Sequence, residues 1–108
     1  MKPIQFIDSS QKDLRDMPAD ARRELGLELM AVQYGGEPRD FKPMPTVGAG
    51  AYEIRWRDST GAFRVIYVAK FAQAVYVLHA FQKKTQKTPK PDIDLAAARY
   101  RKLIGVLK

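Results

Sequence analysis

The chain has no cysteine, one histidine and one tryptophan among 108 residues. Lack of thiols excludes disulfides, cysteine-ligated zinc, iron–sulfur clusters and thiol nucleophiles. A lone His79 without paired carboxylates makes no metal-ligand set, so neither a metal nor a cofactor is expected. Asp92 and Asp94 sit where a helix start wants acids, and are read as capping residues instead of ligands. No apolar run approaches the roughly 18 residues of a membrane span. Met1 to Asp8 also lacks the basic start, apolar stretch and cleavage site of a signal peptide, so a cytoplasmic protein with no membrane partner is expected. Acids are scarce as well, 12 against 19 Lys and Arg, for a net charge of +7. A basic balance of this size points to a polyanionic partner, nucleic acid first. The length and a hydrophobic content of 45% suit one domain over residues 1–108.

The positive charge is unevenly spread. Residues 1–50 hold seven basic and eight acidic side chains, whereas residues 51–108 hold twelve and four. Lys83, Lys84, Lys87 and Lys90 fall in an acid-free stretch, and Arg55, Arg57 and Arg64 flank one short turn.

Ile4 to Ile7 reads as a strand. Ser9 and Ser10 offer hydroxyl caps for a short helix over 11–17, and Pro18 suits the first position of the next. Ala21, Leu25, Leu29 and Val32 recur at helical spacing, with Gly35-Gly36 as a left-handed stop. Residues 37–50, with three prolines and two glycines, read as an ordered loop without regular structure. Within it, Gly48-Ala49-Gly50 resembles a phosphate-binding loop only faintly, because it precedes a strand and lacks a third glycine.

Tyr52, Ile54 and Trp56 alternate with Glu53, Arg55 and Arg57, a strand with both arginines on one side. Ser59-Thr60-Gly61 turns the chain into a strand over 63–69, and a further strand covers 75–81. Both are apolar on two faces and therefore central. A last helix from Pro91-Asp92 carries Ile93, Ala97, Tyr100, Ile104 and Leu107 on its apolar face. This order predicts an α+β fold: a four-stranded antiparallel sheet, mixed where the N-terminal strand joins it, covered on one face by helices. Two of those helices are N-terminal and one C-terminal.

Adjacent strands lie about 4.8 Å apart, so Arg55, Arg57 and Arg64 can converge with the lysines after the last strand. Such a site either holds phosphates by charge or stabilises the transition state of phosphodiester cleavage. Tyr52, as an aromatic near the basic residues, is a candidate for stacking on a base.

The runs Tyr52-Glu53-Ile54-Arg55-Trp56-Arg57, Phe63-Arg64-Val65-Ile66-Tyr67 and Val77-Leu78-His79-Ala80-Phe81-Gln82-Lys83-Lys84-Thr85-Gln86-Lys87-Thr88-Pro89 resemble the phage-derived, HigB-like branch of the RelE/ParE toxin superfamily. The resemblance spans essentially the whole chain. It implies a type II toxin, a metal-free endoribonuclease that cuts messenger RNA on the ribosome through attack of the substrate's own 2′-hydroxyl, with a helix-turn-helix antitoxin as partner. Carried over by position, Arg64 would stabilise the phosphate, with Arg55 beside it. Lys84 and His79 join the catalytic set, while Arg57, Lys83, Lys87, Lys90 and Tyr52 would bind RNA. The general base stays open among a lysine, His79 and Glu53. A ParE-like gyrase poison and a non-catalytic RNA- or ribosome-binding module are the competing functions.

Overall fold

The computed structural model describes residues 1–84 and 87–107. Its centre is the hairpin of β4 (Gly61–Val68) and β5 (Val75–Lys83), apolar on both faces as the sequence requires. Around it lie β3 (Ala51–Asp58), β1 (Ile4–Phe6) and β2 (Phe41–Pro43), in the order β1-β5-β4-β3-β2. Only β1 is parallel to its neighbour. The helices are α1 (Ser10–Arg15), α2 (Ala19–Gln33) and α3 (Lys90–Leu107).

The sheet has five strands where four were expected. The additional one, β2, lies inside the proline-rich stretch read as a loop. A short edge strand tolerates proline because the ladder needs donors on one side only. Here Arg55 N–H donates to the Asp40 carbonyl and Met44 N–H to that of Ala51. Phe41 packs its ring against Tyr52, with centroids 5.5 Å apart.

A second departure concerns the layers. α1 and α2 cover one face, where Leu14, Leu25 and Leu29 meet Ile54, Phe63, Val65 and Val77. α3 lies on the other, where Ala96 and Leu103 meet Ile66, Val68 and Leu78. Central strands apolar on both sides need cover on both, which helices gathered on one face could not supply. A register shift opposite Ile66 and Tyr67 inserts Leu78 as an extra residue, so Leu78 and His79 both serve the α3 side.

The buried line of α3 is Ala96, Arg99 and Leu103, rotated from the expected stripe; Ile93, Tyr100 and Leu107 are only partly buried. Arg99 can be interior because its guanidinium donates to the Leu78 carbonyl (2.8 Å) and Ser9 Oγ (2.9 Å) and lies 3.5 Å from Asp8 Oδ2. Ser9 is thus diverted from the expected cap. Its Oγ donates to Asp13 Oδ2 at 2.8 Å, and no side-chain cap bond forms. The glycines of the loop before β3 serve packing: a Cβ on Gly48 would stand 2.5 Å from the Tyr100 ring, whose hydroxyl donates to the Ala49 carbonyl.

Tyr67, buried between Tyr52 and α2, has its hydroxyl pushed up to about 12 from 10.0, chiefly by burial. The folded state therefore resists losing this proton. Its contribution is fully present below pH 10 and falls away between pH 10 and 12, by roughly 3 kcal/mol in all. Urea titrations at pH 9 and 11.5 are expected to show a smaller alkaline loss for Tyr67→Phe than for the parent chain; equal losses would contradict this.

Candidate active site

On the α3 face, the ends of β3, β4 and β5 gather Glu53, Arg55, Arg57, Arg64, His79, Phe81 and Lys83. Pairing sets Arg55 directly opposite Arg64, and Ala62 between Arg57 and Lys83. Like charges facing each other across a strand pair are destabilising, and such local violations mark functional surfaces.

Arg64 is the deepest cation, only 4% exposed. Burial lowers its pKa, Glu53 opposes that shift and Arg55 adds to it, yet a guanidinium stays charged. Its Nη1 donates to its neighbour's carbonyl, Phe63 O, at 3.0 Å. Its Nε stands 3.5 Å from Glu53 Oε1, and among the described residues neither atom has a hydrogen-bond partner. Glu53 itself is wholly buried. Its Oε2 accepts the Thr88 hydroxyl at 2.8 Å, and Lys42 Nζ approaches Oε1 at 3.8 Å.

Arg55 is partly exposed, with Nε and Nη2 both donating to Asp40 Oδ1 at 3.1 and 2.9 Å. It borders, with exposed Arg57, a groove of about 290 Å³ that also involves Arg39 and Trp56. Lys83 has its pKa lowered, first by burial and next by the charge of Arg64. The basic residues thus act on one another through space.

His79 is held from two sides. Its Nε2 lies 2.6 Å from Asp92 Oδ1, and its ring stacks on Phe81 with centroids 4.7 Å apart. Asp92 therefore reaches across to the strand, beyond the capping role read from its place in the sequence. His79 Nδ1 is buried without a partner among the described residues.

Of the candidates read from the sequence, Arg64, Arg55, Arg57 and Lys83 come together, and His79 lies beneath them on β5. Lys84 is exposed just past the end of β5, and Lys87 is exposed further on. Lys90 pairs with Asp94 at 2.8 Å on the first turn of α3. Tyr52 is displaced from the site altogether: it faces the α2 side, in a cleft of about 820 Å³ shared with Tyr34 and Tyr67. Strand alternation dictates this, since a residue three places from Arg55 points the other way. Thr85 and Gln86, part of the sequence motif, lie outside the described residues. Asp40 and Thr88 were missed as members of the site. Thr88 stood inside the most specific motif, whereas nothing local marks Asp40. Among the described residues no group of His, Asp and Glu is arranged to hold a metal ion.

The fold is that of a double mutant of the Escherichia coli toxin RelE in its free state. The TM-score is 0.67, over 92% of this chain and 96% of that one, at 17% identity. This defines the class as a RelE-like fold. Proteins named "Probable endoribonuclease HigB1" in two strains of Mycobacterium tuberculosis are 32% identical over 91 residues, 84% of this chain and 70% of theirs. The family described as "Phage derived protein Gp49-like (DUF891)" matches residues 12–101, and the chain belongs to it.

Proposed function

We propose that this chain is the toxin of a type II toxin–antitoxin pair and acts as an endoribonuclease on messenger RNA held in the ribosome. The observation that carries this reading is the convergence of Arg64, Arg55, Arg57 and Lys83 on one sheet face, in a relative of proteins named "Probable endoribonuclease HigB1". Such a face suits a polyanionic backbone, and its buried arginine suits charge that develops during reaction.

In the reaction, the substrate's 2′-oxygen attacks the adjacent phosphorus and the bond to the 5′-oxygen breaks, leaving a 2′,3′-cyclic phosphate. The arginines balance the charge gathering on the non-bridging oxygens. Lys83, whose lowered pKa gives it a larger neutral fraction than an ordinary lysine, takes the 2′-hydroxyl proton at Nζ. The departing 5′-oxygen takes a proton from solvent. Because Lys83 must be neutral, the rate rises with pH through its lowered pKa. His79 and Glu53 are engaged by Asp92 and Thr88, and serve as supports.

The partner in the cell is a helix-turn-helix antitoxin. Among the described residues no helix is long and apolar enough to cross a membrane. The test is induced expression without antitoxin, with transcript 5′ ends mapped across the cell. Cleavage inside translated frames is expected, absent when initiation is blocked. Growth arrest with intact transcripts would overturn the reading.

A further inference from the structure

The run His79-Ala80-Phe81-Gln82-Lys83-Lys84 and Lys87-Thr88-Pro89 holds more than cations, and Thr88 has no part in the reaction above. It is nevertheless buried, and its hydroxyl donates to a carboxylate 35 residues earlier in the chain. That carboxylate, on Glu53, is the group beneath Arg64. A charged carboxylate with no exposed surface is costly to keep, and its cost is met only where its oxygens are engaged. Here Oε2 is engaged by Thr88, while Oε1 is left to face Arg64 Nε, with Lys42 further off.

We infer that Glu53 and Thr88 are positioning residues: the Thr88 hydroxyl fixes the rotamer of Glu53, and Glu53 in turn aims the Arg64 guanidinium at the reacting phosphate. The inference rests on the proposed endonuclease reading for its chemistry, but the mechanical link from Thr88 to Arg64 is independent of it.

The geometry explains why two residues are needed. Arg64 cannot be aimed by its own hydrogen bond alone, because Nη1 to the Phe63 carbonyl is one contact and leaves the planar fork free to pivot. The 3.5 Å ion pair at Nε, not itself a hydrogen bond, adds a charge that favours one orientation of the plane. Glu53 keeps Oε1 beside Nε only while its rotamer is held. Among the described residues its one side-chain hydrogen bond is that from Thr88, which enters from the segment leading to α3. The same segment continues to Pro89, whose carbonyl accepts the N–H groups of Asp92 and Ile93 at the start of α3. Asp92 then holds His79. Thr88 to Glu53 and Asp92 to His79 thereby tie the carboxylate, the helix and the strand to one frame around Arg64. A carboxylate so placed is also poorly suited to take a proton from substrate, since it is buried and already accepting.

Thr88→Val removes the hydroxyl at nearly constant volume, and Thr88→Ser restores it. A misplacement of about 1 Å can cost about a hundredfold in rate. Accordingly, kcat on a ribosome-bound messenger is expected to fall between about tenfold and a hundredfold in Thr88→Val, with KM within about threefold. Thr88→Ser should recover most of it. The second measurement needs no activity: in nitrogen-15 spectra, the Arg64 Nε–H resonance should shift and exchange with solvent at least about tenfold faster in Thr88→Val, and behave as in the parent in Thr88→Ser. An unchanged Arg64 resonance in Thr88→Val overturns the inference even if RNA is cut. A moved resonance in a protein that leaves RNA intact upholds the link and overturns only the endonuclease reading. Equal loss of rate in the Val and Ser variants would also defeat it, since the hydroxyl would then not matter.

Discussion

Replacing Arg64 with alanine is expected to lower RNA cleavage by at least about 10²- to 10³-fold, the usual loss when one prepositioned donor to a developing anion is removed. The residue is buried at the centre of a like-charged cluster, and nothing nearby duplicates its guanidinium. Arg55 is occupied by Asp40, and Arg57 faces open solvent. The substitution also leaves buried Glu53 with only the more distant Lys42 as counter-charge, so stability falls with activity. Arg64→Lys separates the two effects. It keeps the charge opposite Glu53 and loses the planar fork, so its melting point should stay nearer the parent while its rate stays low. The check is single-turnover cleavage beside thermal melts of both variants. An Arg64→Lys protein with full rate would show that the charge suffices and the fork does not matter.

One residue earlier, Phe63→Ala should do the reverse. Phe63 is 1% exposed and points into the α1–α2 core, with its ring 6.3 Å from that of Trp56. Truncating a buried Phe costs about 3–5 kcal/mol, a large share of the 5–15 kcal/mol typical of a domain. The melting temperature should drop by more than about 10 °C. The side chain never reaches the α3 face, so the protein that remains folded should cleave within about fivefold of the parent, measured well below its midpoint. Neighbours on one strand would then divide the work between the two faces of the sheet.

This division was partly legible beforehand. The alternation of Tyr52 through Arg57 placed the arginines of β3 on one side, and the two-sided apolarity of β4 and β5 marked them as central; both are local patterns. What escaped depends on contacts between distant residues. β2 hides in a stretch whose prolines argue against any strand, and only its place at the sheet edge makes it possible. The burial of Arg99 depends on a carbonyl beside a register shift that no periodicity reveals. The same alternation that located Arg55 should have turned Tyr52 away from it. Asp40 and Thr88 belong to the site through hydrogen bonds spanning 15 and 35 residues. Charge patterning found the cations, but it could not find what steers them.

The parallel pairing of β1 with β5 joins Ile4 to Val75 and Phe6 to Val77. Of the strands of this sheet, β1 is made first and must therefore wait for the last before it has a strand partner, and closing so long a loop is slow compared with forming the β4–β5 hairpin. Lys83 ends β5, and Thr88 and Asp92 follow closely in the chain. The nascent polypeptide thus completes its sheet and its cationic face in nearly the same interval, and a chain stopped before β5 lacks both the partner of β1 and Lys83.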